Sequence, residues 1–383
     1  MKCKYNIAIV AVGYNRKDSL KRLLYSVCEA DYTSVDSIDL IVSLDCSNNQ
    51  SELVEMVKKI EWEHGNKLIK TYSERQGLKQ HILNCGDLTS EYDAVVILED
   101  DLTVSHCFVN YITQAIEYSE LNPKISGISL YSHKTNPGCG RPFEPMFNGY
   151  DIYLMQYAQS WGQCWTKQMW NKFRLWYSKN SELKPDYRVP SYVINWNEKS
   201  WLKYYIYYTA VNGLYFVYPY YSLSTNNSEV GEHRDMNSTA YQVPMVEKEF
   251  KYRFPEFDQA IKYDAFFERL FDNRIQIGNE QCVMLDLYGL RNDYSNVALL
   301  VSTKVLPYKI VDKIALKYRP HEENLIRKED GDGIYIYDIR KPSNMNKKKN
   351  FSRISYDIKA ISWKDTLAHG IKGLKQAIIY KLK

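Results

Sequence analysis

Three consecutive acids, Glu99, Asp100 and Asp101, follow the apolar run AVVIL in the stretch AVVILEDDLTVS, residues 94–105. Hard divalent cations want carboxylate oxygens, often only one or two from protein, with water and substrate phosphates supplying the rest. A cation held there could neutralise a diphosphate leaving group by Lewis-acid action. Acids after a strand can equally be a solvated turn, the usual outcome for a bare pair of aspartates. Here a strongly hydrophobic strand delivers them, which narrows the choice. Asp45 closes a second apolar run, IDLIVSLDCS, in the same manner.

Those acids need elements to position them. Residues 5–12, YNIAIVAV, form a continuous apolar run rich in β-branched residues, the pattern of a strand buried on both faces. Gly13 to Asn15 turns the chain, and Asp18 is placed to cap a helix through Cys28 with the stripe Leu20, Leu23, Leu24 and Val27. A strand at 38–47, a helix near 50–60, a short strand LIKTYSE, a helix in GLKQHILNCGDLTS, the strand before the acids and a helix over 106–121 follow. Strand and helix alternate at βαβ spacing, which predicts a mostly parallel central sheet with helices on both faces. Ligands of such sheets bind beyond the carboxyl ends of the strands, where Asp45 and the acidic triplet stand. After about residue 125 the alternation fades. Residues 131–150 read as loop, 157–177 and 195–223 are aromatic, 225–250 is a polar loop, and a helix is expected over 256–271. Closing strands follow in VMLDLYGL and NVALLVS, then a DG turn between short strands, then the linker KPSNMNKKKN.

The composition is globular: 383 residues, 45% hydrophobic and 25% charged, so wholesale disorder is excluded. The 34 tyrosines suit a protein that handles polar ligands, although an AT-rich genome gives the same bias. Eight cysteines lie at 3, 28, 46, 85, 107, 139, 164 and 282 without any CxxC or zinc spacing, which reads as reduced thiols in a cytoplasmic protein. The N-terminal apolar run passes into a helix start rather than a small-residue cleavage site, arguing against a signal peptide. No run of about 20 apolar residues is present to span a membrane. The net charge of +4 is uneven: residues 341–383 hold eleven Lys and Arg against Asp357 and Asp365, a local +9, leaving −5 on residues 1–340.

The motif VVILEDDLTVS resembles the EDD variant of the DxD motif in GT-A glycosyltransferases, particularly the N-acetylglucosaminyltransferase I type. The resemblance covers roughly residues 5–235. It implies that Asp101 contacts a Mn²⁺ or Mg²⁺ bridging the nucleotide diphosphate, with Glu99 and Asp100 beside the nucleotide-sugar. AIVAVGYNRKDSLKRLLYSV is similar to the first βα unit of glycosyltransferase family 2, whose following loop packs on the nucleoside, which implicates Val12 and Tyr14. Asp45 is similar to the Asp that hydrogen-bonds the nucleobase. RQGLKQHILNC resembles the loop and helix before the metal motif, implicating Gly77 and Lys79. The nucleotide-binding motifs are degenerate here, so a uracil base follows from the family alone.

SWGQCWTKQMW (160–170) is similar to the sugar-binding segment of bacterial glycosyltransferases. Aromatic faces stack on the C–H face of a pyranose while Gln163 could bond hydroxyls, so Trp161, Gly162 and Trp165 are assigned to substrate; the alternative makes Trp161, Trp165 and Trp170 core. Related enzymes carry their catalytic base a few residues before a Trp, and NEKSW makes Glu198 that base, with Glu229 and Asp186 in reserve. A helix-start acid stabilised by the helix dipole is the alternative. YPYYSLSTNNSEVGEHR resembles a family stretch whose late His is a further metal ligand, which maps to His233; a loop His is otherwise simply solvated.

In SWKDTLAHGIKGLKQAIIYKLK, Trp363, Leu367, Ile371, Leu374, Ile378 and Leu382 make one apolar stripe, flanked or opposed by lysines 372, 375 and 383. Such a basic amphipathic helix can lie in a membrane interface or dock on its own domain or a partner subunit. The expectation is a glycosyltransferase domain over 1–340 (nucleotide half 1–125, acceptor half 126–340), and a basic linker with an amphipathic helix over 341–383. Its donor is a nucleotide-sugar, a UDP-sugar as the resemblance implies, and its acceptor a glycan or lipid-linked hydroxyl; no nucleic acid is expected. The placement is cytoplasmic, with contact to the inner face of an anionic membrane. A phosphotransferase would need a phosphate-cradling glycine loop, and none is present. A carbohydrate-binding module would keep the aromatics without the nucleotide-side acids.

Overall fold

The computed structural model describes residues 3–228, 239–272, 275, 277, 283–343, 351–358 and 361–381, and divides into two compact units. The first comprises residues up to Leu270 together with Leu290–Asp293. Its chain order begins β1 (Ile7–Gly13), α1 (Lys17–Cys28), β2 (Asp39–Leu44), α2 (Gln50–Lys58), β3 (Lys67–Thr71), α3 (Gly77–Gly86) and β4 (Ala94–Glu99). It continues with β5 (Leu102–Val104), α4 (Phe108–Glu120), β6 (Ile125–Ser129), the hairpin β7 (Thr135–Asn136) and β8 (Arg141–Pro142), and β9 (Ile152–Met155). Then come β10 (Gln163–Thr166), α5 (Lys167–Tyr177), α6 (Ser191–Ile194), α7 (Trp201–Val211), β11 (Tyr215–Pro219), β12 (Ser224–Asn226) and β13 (Lys262–Tyr263).

Nine strands form the central sheet in the order β13-β9-β11-β6-β10-β4-β1-β2-β3. Strands β1 to β4, β6 and β11 run one way; β10 runs against β4 and β6, β9 runs against β11, and β13 runs with β9. The architecture is therefore α/β with a mostly parallel sheet. Every residue of β1 is buried, because a parallel strand covered by helices on both faces has no wet side. Ile7, Ile9 and Ala11 join Leu20, Leu23, Leu24 and Val27 of α1 and Ile112 and Ile116 of α4 in one core. Each fully buried Val, Leu or Ile of that core contributes about 1.5–3 kcal/mol of transfer free energy. Asp18 lies in the first turn of α1, where its charge suits the helix dipole, but the cap position is Arg16 and no side chain caps it.

Two expectations are corrected. The apolar spacing over 256–271 does not build a helix. Ile261 and Tyr263 instead accept backbone hydrogen bonds from Leu154 and Gln156, so the segment becomes the edge strand β13. Asp264 then turns the chain by accepting the N–H groups of Phe266 and Glu268, and Phe267 adopts a φ of 68° that no helix contains. The strands of 283–302 do not close the central sheet.

They belong to the second unit, Phe271–Gly289 and Tyr294–Lys383, so the boundary expected at 341 falls inside a unit. There β14 (Val283–Asp286), β15 (Leu299–Ser302), β16 (Tyr308–Ala315) and β17 (Gly333–Pro342) make a four-stranded sheet in the order β14-β15-β17-β16. Ile275, Leu285, Val301, Ile314, Leu325, Ile334 and Ile336 form its core, with α8 (Glu323–Arg327) supplying Leu325. Two helices end this unit, α9 (Phe351–Ile358) and α10 (Trp363–Lys381). No helix among the described residues is long and apolar enough to cross a membrane.

Candidate active site

Strand β4 runs to the carboxyl edge of the central sheet, and its last residue, Glu99, lies beside Val12 of β1. Asp100 and Asp101 make the turn into β5, which leaves the main sheet and pairs with β12. Buried Leu102 and Val104 anchor that departure in the core, so the acids cannot drift into solvent.

The three acids have different surroundings. Asp100 is buried and held by Arg16 of the β1–α1 loop, whose Nε lies 3.3 Å from Oδ2 and whose Nη2 contacts Oδ1. The same Nη2 stands 3.8 Å from Oδ2 of Asp101. Burial works against the guanidinium charge, but Asp100, and after it Asp101 and Glu99, outweigh burial and raise the Arg16 pKa. Burial, then Asp101 and Asp100, push the Glu99 carboxyl well above the usual carboxylate range, with Arg16 opposing. The Asp101 side chain is 21% exposed, but its Oδ1 is buried and accepts no hydrogen bond from any described residue. A buried carboxylate oxygen without a donor is expensive, which makes it the natural anchor for a cation.

The nucleotide-side residues gather along the same edge. Tyr14 lies under the guanidinium of Arg75, 4.7 Å from the ring centroid. Val12 is buried and walls the edge. Gly77 opens α3 at φ 71° with free space where a Cβ would stand. Lys79, one turn into α3, places Nζ 5.0 Å from the ring of Tyr204. Asp45 has a different task from the one its resemblance suggests. It is 3% exposed, and its carboxylate accepts the N–H groups of Cys46 (2.8 Å), Gln76 (2.7 Å) and Gly77 (2.9 Å). It ties the loop before α3 to the end of β2, so it shapes the crevice from within.

The tryptophans divide sharply. Trp165 is 0% exposed and is corrected from substrate contact to core. Strand β10 is an interior strand, and position 165, opposite Val95, faces α5 and α7. There its ring stacks on Tyr205 at 5.2 Å and meets Trp170 at 4.6 Å and Trp201 at 5.4 Å. Trp170 is likewise core, its Nε1 donating to Asp87. Trp161 precedes the strand, is half-buried, and packs against Tyr131 at 4.7 Å and Tyr241 at 4.6 Å. Its carbonyl accepts the Ser224 hydroxyl at 2.6 Å, which joins it to the strand paired with β5. Gly162 holds φ 89°, and a Cβ there would press on Leu130 and Ser224. Gln163 is fully buried, with neither amide atom partnered among the described residues. No ligand reaches it in this conformation, contrary to the expected hydroxyl contact.

Glu198 lies in the turn before α7, a helix capped by Ser200. Because α7 feeds β11, which runs parallel to β6, its amino end lies at the same edge of the sheet as the acidic turn. The Glu198 side chain is 72% exposed; Lys203 Nζ donates to Oε1 at 2.6 Å and the Tyr204 hydroxyl donates to Oε2. Lys203 first, then Tyr204, lower its pKa, and Lys79 adds a weaker attraction. Asp186 is engaged by Arg188, with Nη2 at 2.7 Å.

Glu229 and His233 lie outside the described residues. The chain just before them is anchored at the acids: the backbone N–H and side-chain amide of Asn227 donate to the Asp101 carbonyl at 2.9 and 3.0 Å. Among the described residues no group of three His, Cys, Asp or Glu is arranged as a metal cage. Sequence reasoning missed Arg16 and Arg75. The run YNRKD offered a signal, an Arg directly after a strand-end turn, but its partner is 84 positions away.

No protein-family model matches the chain, and no curated protein matches it. Solved structures do show partial likeness. The mannosyltransferase PcManGT from Pyrobaculum calidifontis, in complex with GDP-Man and Mn²⁺, is 12% identical with a TM-score of 0.31, over 42% of this chain and 44% of that one. S. aureus TarS 1–349 is 14% identical with a TM-score of 0.35, over 55% of this chain and 60% of that one. GalNAc-T7 with UDP, GalNAc and Mn²⁺ is 12% identical with a TM-score of 0.38, over 56% and 42% respectively. The chain spans about half the length of the solved structures that it matches.

Proposed function

We propose that the protein is a divalent-metal-dependent, inverting GT-A glycosyltransferase. The observation that carries this reading is Asp101 Oδ1, a buried carboxylate oxygen without a donor among the described residues, at the carboxyl edge of a mostly parallel sheet. The donor set fits a hard cation that takes one protein carboxylate and fills its shell with water and diphosphate oxygens. Asp101 would hold the ion, with His233 as a further ligand. Mn²⁺ or Mg²⁺, when bound, supplies Lewis-acid neutralisation of the departing nucleoside diphosphate.

The remaining work falls to side chains. Arg16 holds Asp100 in place and reaches Asp101 only through Oδ2, at 3.8 Å, which leaves Asp101 Oδ1 to the ion. Tyr14, Gly77, Lys79 and the loop that Asp45 fastens line the nucleotide side, and Trp161 and Gly162 the sugar side. Glu198 removes the proton of an acceptor hydroxyl; that oxygen attacks the anomeric carbon as the bond to diphosphate breaks on the opposite face. Lys203 and Tyr204 ensure that Glu198 is ionised when the acceptor arrives, and must loosen as it takes the proton. The donor is a nucleotide-sugar, with UDP the base favoured by the resemblance. The acceptor is a glycan or lipid-linked oligosaccharide hydroxyl, in bacterial surface polysaccharide synthesis at the inner face of the cell membrane.

The test is a hydrolysis and thermal-shift screen across nucleotide-sugars with and without Mn²⁺. A matching donor at 100-fold over its Kd should stabilise the protein by about 2.7 kcal/mol, and only with the metal present. Stabilisation by a free sugar, with no response to any nucleotide-sugar, would indicate a carbohydrate-binding protein instead.

A further inference from the structure

Helices α9 and α10 end the second unit in opposite conditions. The first is fastened down: the Tyr356 hydroxyl donates to the Tyr318 carbonyl at 2.7 Å, and Arg319 Nη2 donates to the Tyr356 carbonyl at 2.8 Å. Arg353 is 2% exposed and pairs with Asp357 at 3.1 Å. By contrast, every residue from Ile361 to Lys375 except Thr366 is exposed. Trp363 is 70%, Leu367 57%, Ile371 49% and Leu374 64% exposed. These four recur at helical spacing on one face, along about 16 Å of axis. Ile354 of α9 and Ile361 are exposed as well.

Over its described side chains, Trp363 to Lys375, the helix gains little from packing, and most helical stability in proteins comes from burying an apolar face. Something outside the described fold therefore covers this stripe. Lys364 and Lys375 fall at the margin of the stripe and Lys372 beyond it, within a segment of local charge +9. A second copy of the same tail would set +9 against +9. An anionic surface offers both what the stripe and what the lysines require. No helix among the described residues is long and apolar enough to cross a bilayer, so contact with one would be along its surface.

We propose that the α10 face of Trp363, Leu367, Ile371 and Leu374 docks on an anionic lipid bilayer, with Lys364, Lys372 and Lys375 at the headgroups. This deepens the glycosyltransferase reading by naming the surface on which a lipid-linked acceptor is met. The test is co-sedimentation of the full chain with phosphatidylserine–phosphatidylcholine vesicles and with phosphatidylcholine alone. Wild type should bind the former, less so as salt rises. Leu367→Glu with Leu374→Glu should abolish binding, and since both positions are exposed the fold should survive, as thermal unfolding checks. Reversing Lys364, Lys372 and Lys375 to Glu should weaken binding at least about a hundredfold, some fivefold per lysine. Absence of wild-type binding, or equal binding by the apolar double variant, overturns the proposal. So does self-association that the double variant abolishes while vesicles go unbound, which would assign the face to a second copy. Nucleotide-sugar hydrolysis is read on the same samples. Hydrolysis without vesicle binding removes the surface alone; vesicle binding without hydrolysis removes the enzyme reading alone.

Discussion

The two acidic centres at the carboxyl edge are built on opposite principles. Around Glu99, Asp100 and Asp101, acids are crowded and largely withdrawn from water, with the Arg16 guanidinium set against Asp100 and Asp101. Around Glu198, a single exposed carboxylate accepts from a lysine and a tyrosine. The first arrangement leaves an uncompensated negative site that invites a cation. The second leaves an ionised group that can exchange a hydrogen bond for a proton. Burial and charge balance, rather than the residue type, separate the proposed ligand from the proposed base.

The largest expected effect breaks the first centre. Asp101→Ala should abolish metal-dependent transfer while lowering stability by no more than about 1 kcal/mol, because Oδ1 has no donor among the described residues and Oδ2 loses only a partly exposed contact with Arg16 at 3.8 Å. Full activity in a transfer assay would end its assignment as the ligand. Next, Glu198→Gln keeps the shape and cannot take a proton. Transfer should fall about 10²–10⁴-fold with donor affinity near wild type. An equal loss of donor binding would make Glu198 a donor contact and dissolve the contrast between the centres.

Arg16 sharpens the comparison through stability. Replacing it with Met leaves Asp100 without its guanidinium. The loss should be about 2–4 kcal/mol, below that for a fully buried pair because the Arg16 side chain is 25% exposed. Chemical denaturation of Arg16→Met, Asp100→Asn and the double variant measures the coupling. Additive losses would show that the pair does not act as a unit.

Much of this was legible in the chain. Strands β1, β2 and β4 read clearly because strands buried on both faces are apolar throughout, and α1 and α4 because one face of each must be. The place of the acids followed from the direction of those strands. What failed was whatever depended on partners distant in sequence. Trp161 and Trp165 look alike as letters, and only the register of β10 against β4 sends position 165 into the core. The segment 256–271 has an amphipathic helix's spacing, yet the free edge beside β9 captured it. Asp45 has the right residue type at the right strand end, but three backbone amides claim it. Arg16 was invisible as a partner until the fold set it against Asp100.

The smallest expected effect carries the contrast between buried and exposed groups over to the histidines of the first unit. His133 is 3% exposed, ringed by Tyr131, Tyr157, Trp161, Tyr218 and Phe267, with Gln159 Nε2 at 2.9 Å from its Nε2. Burial alone lowers its pKa to about 3. In the unfolded chain the same group titrates near its ordinary value of about 6.5. As pH falls through that value the unfolded state takes up a proton that the folded state refuses. The stability owed to a neutral His133 is therefore complete above about pH 6.5 and declines steadily below it. His81, lowered to about 4 by burial first of all, acts in the same direction over a shorter range. His133→Gln removes one titrating group, so stability plotted against pH should flatten by up to about 1.4 kcal/mol per pH unit below pH 6. Urea denaturation of both proteins across that range measures the slopes. Identical slopes would mean that the folded protein already accommodates a charged His133, and that the aromatic cluster beside Trp161 admits water.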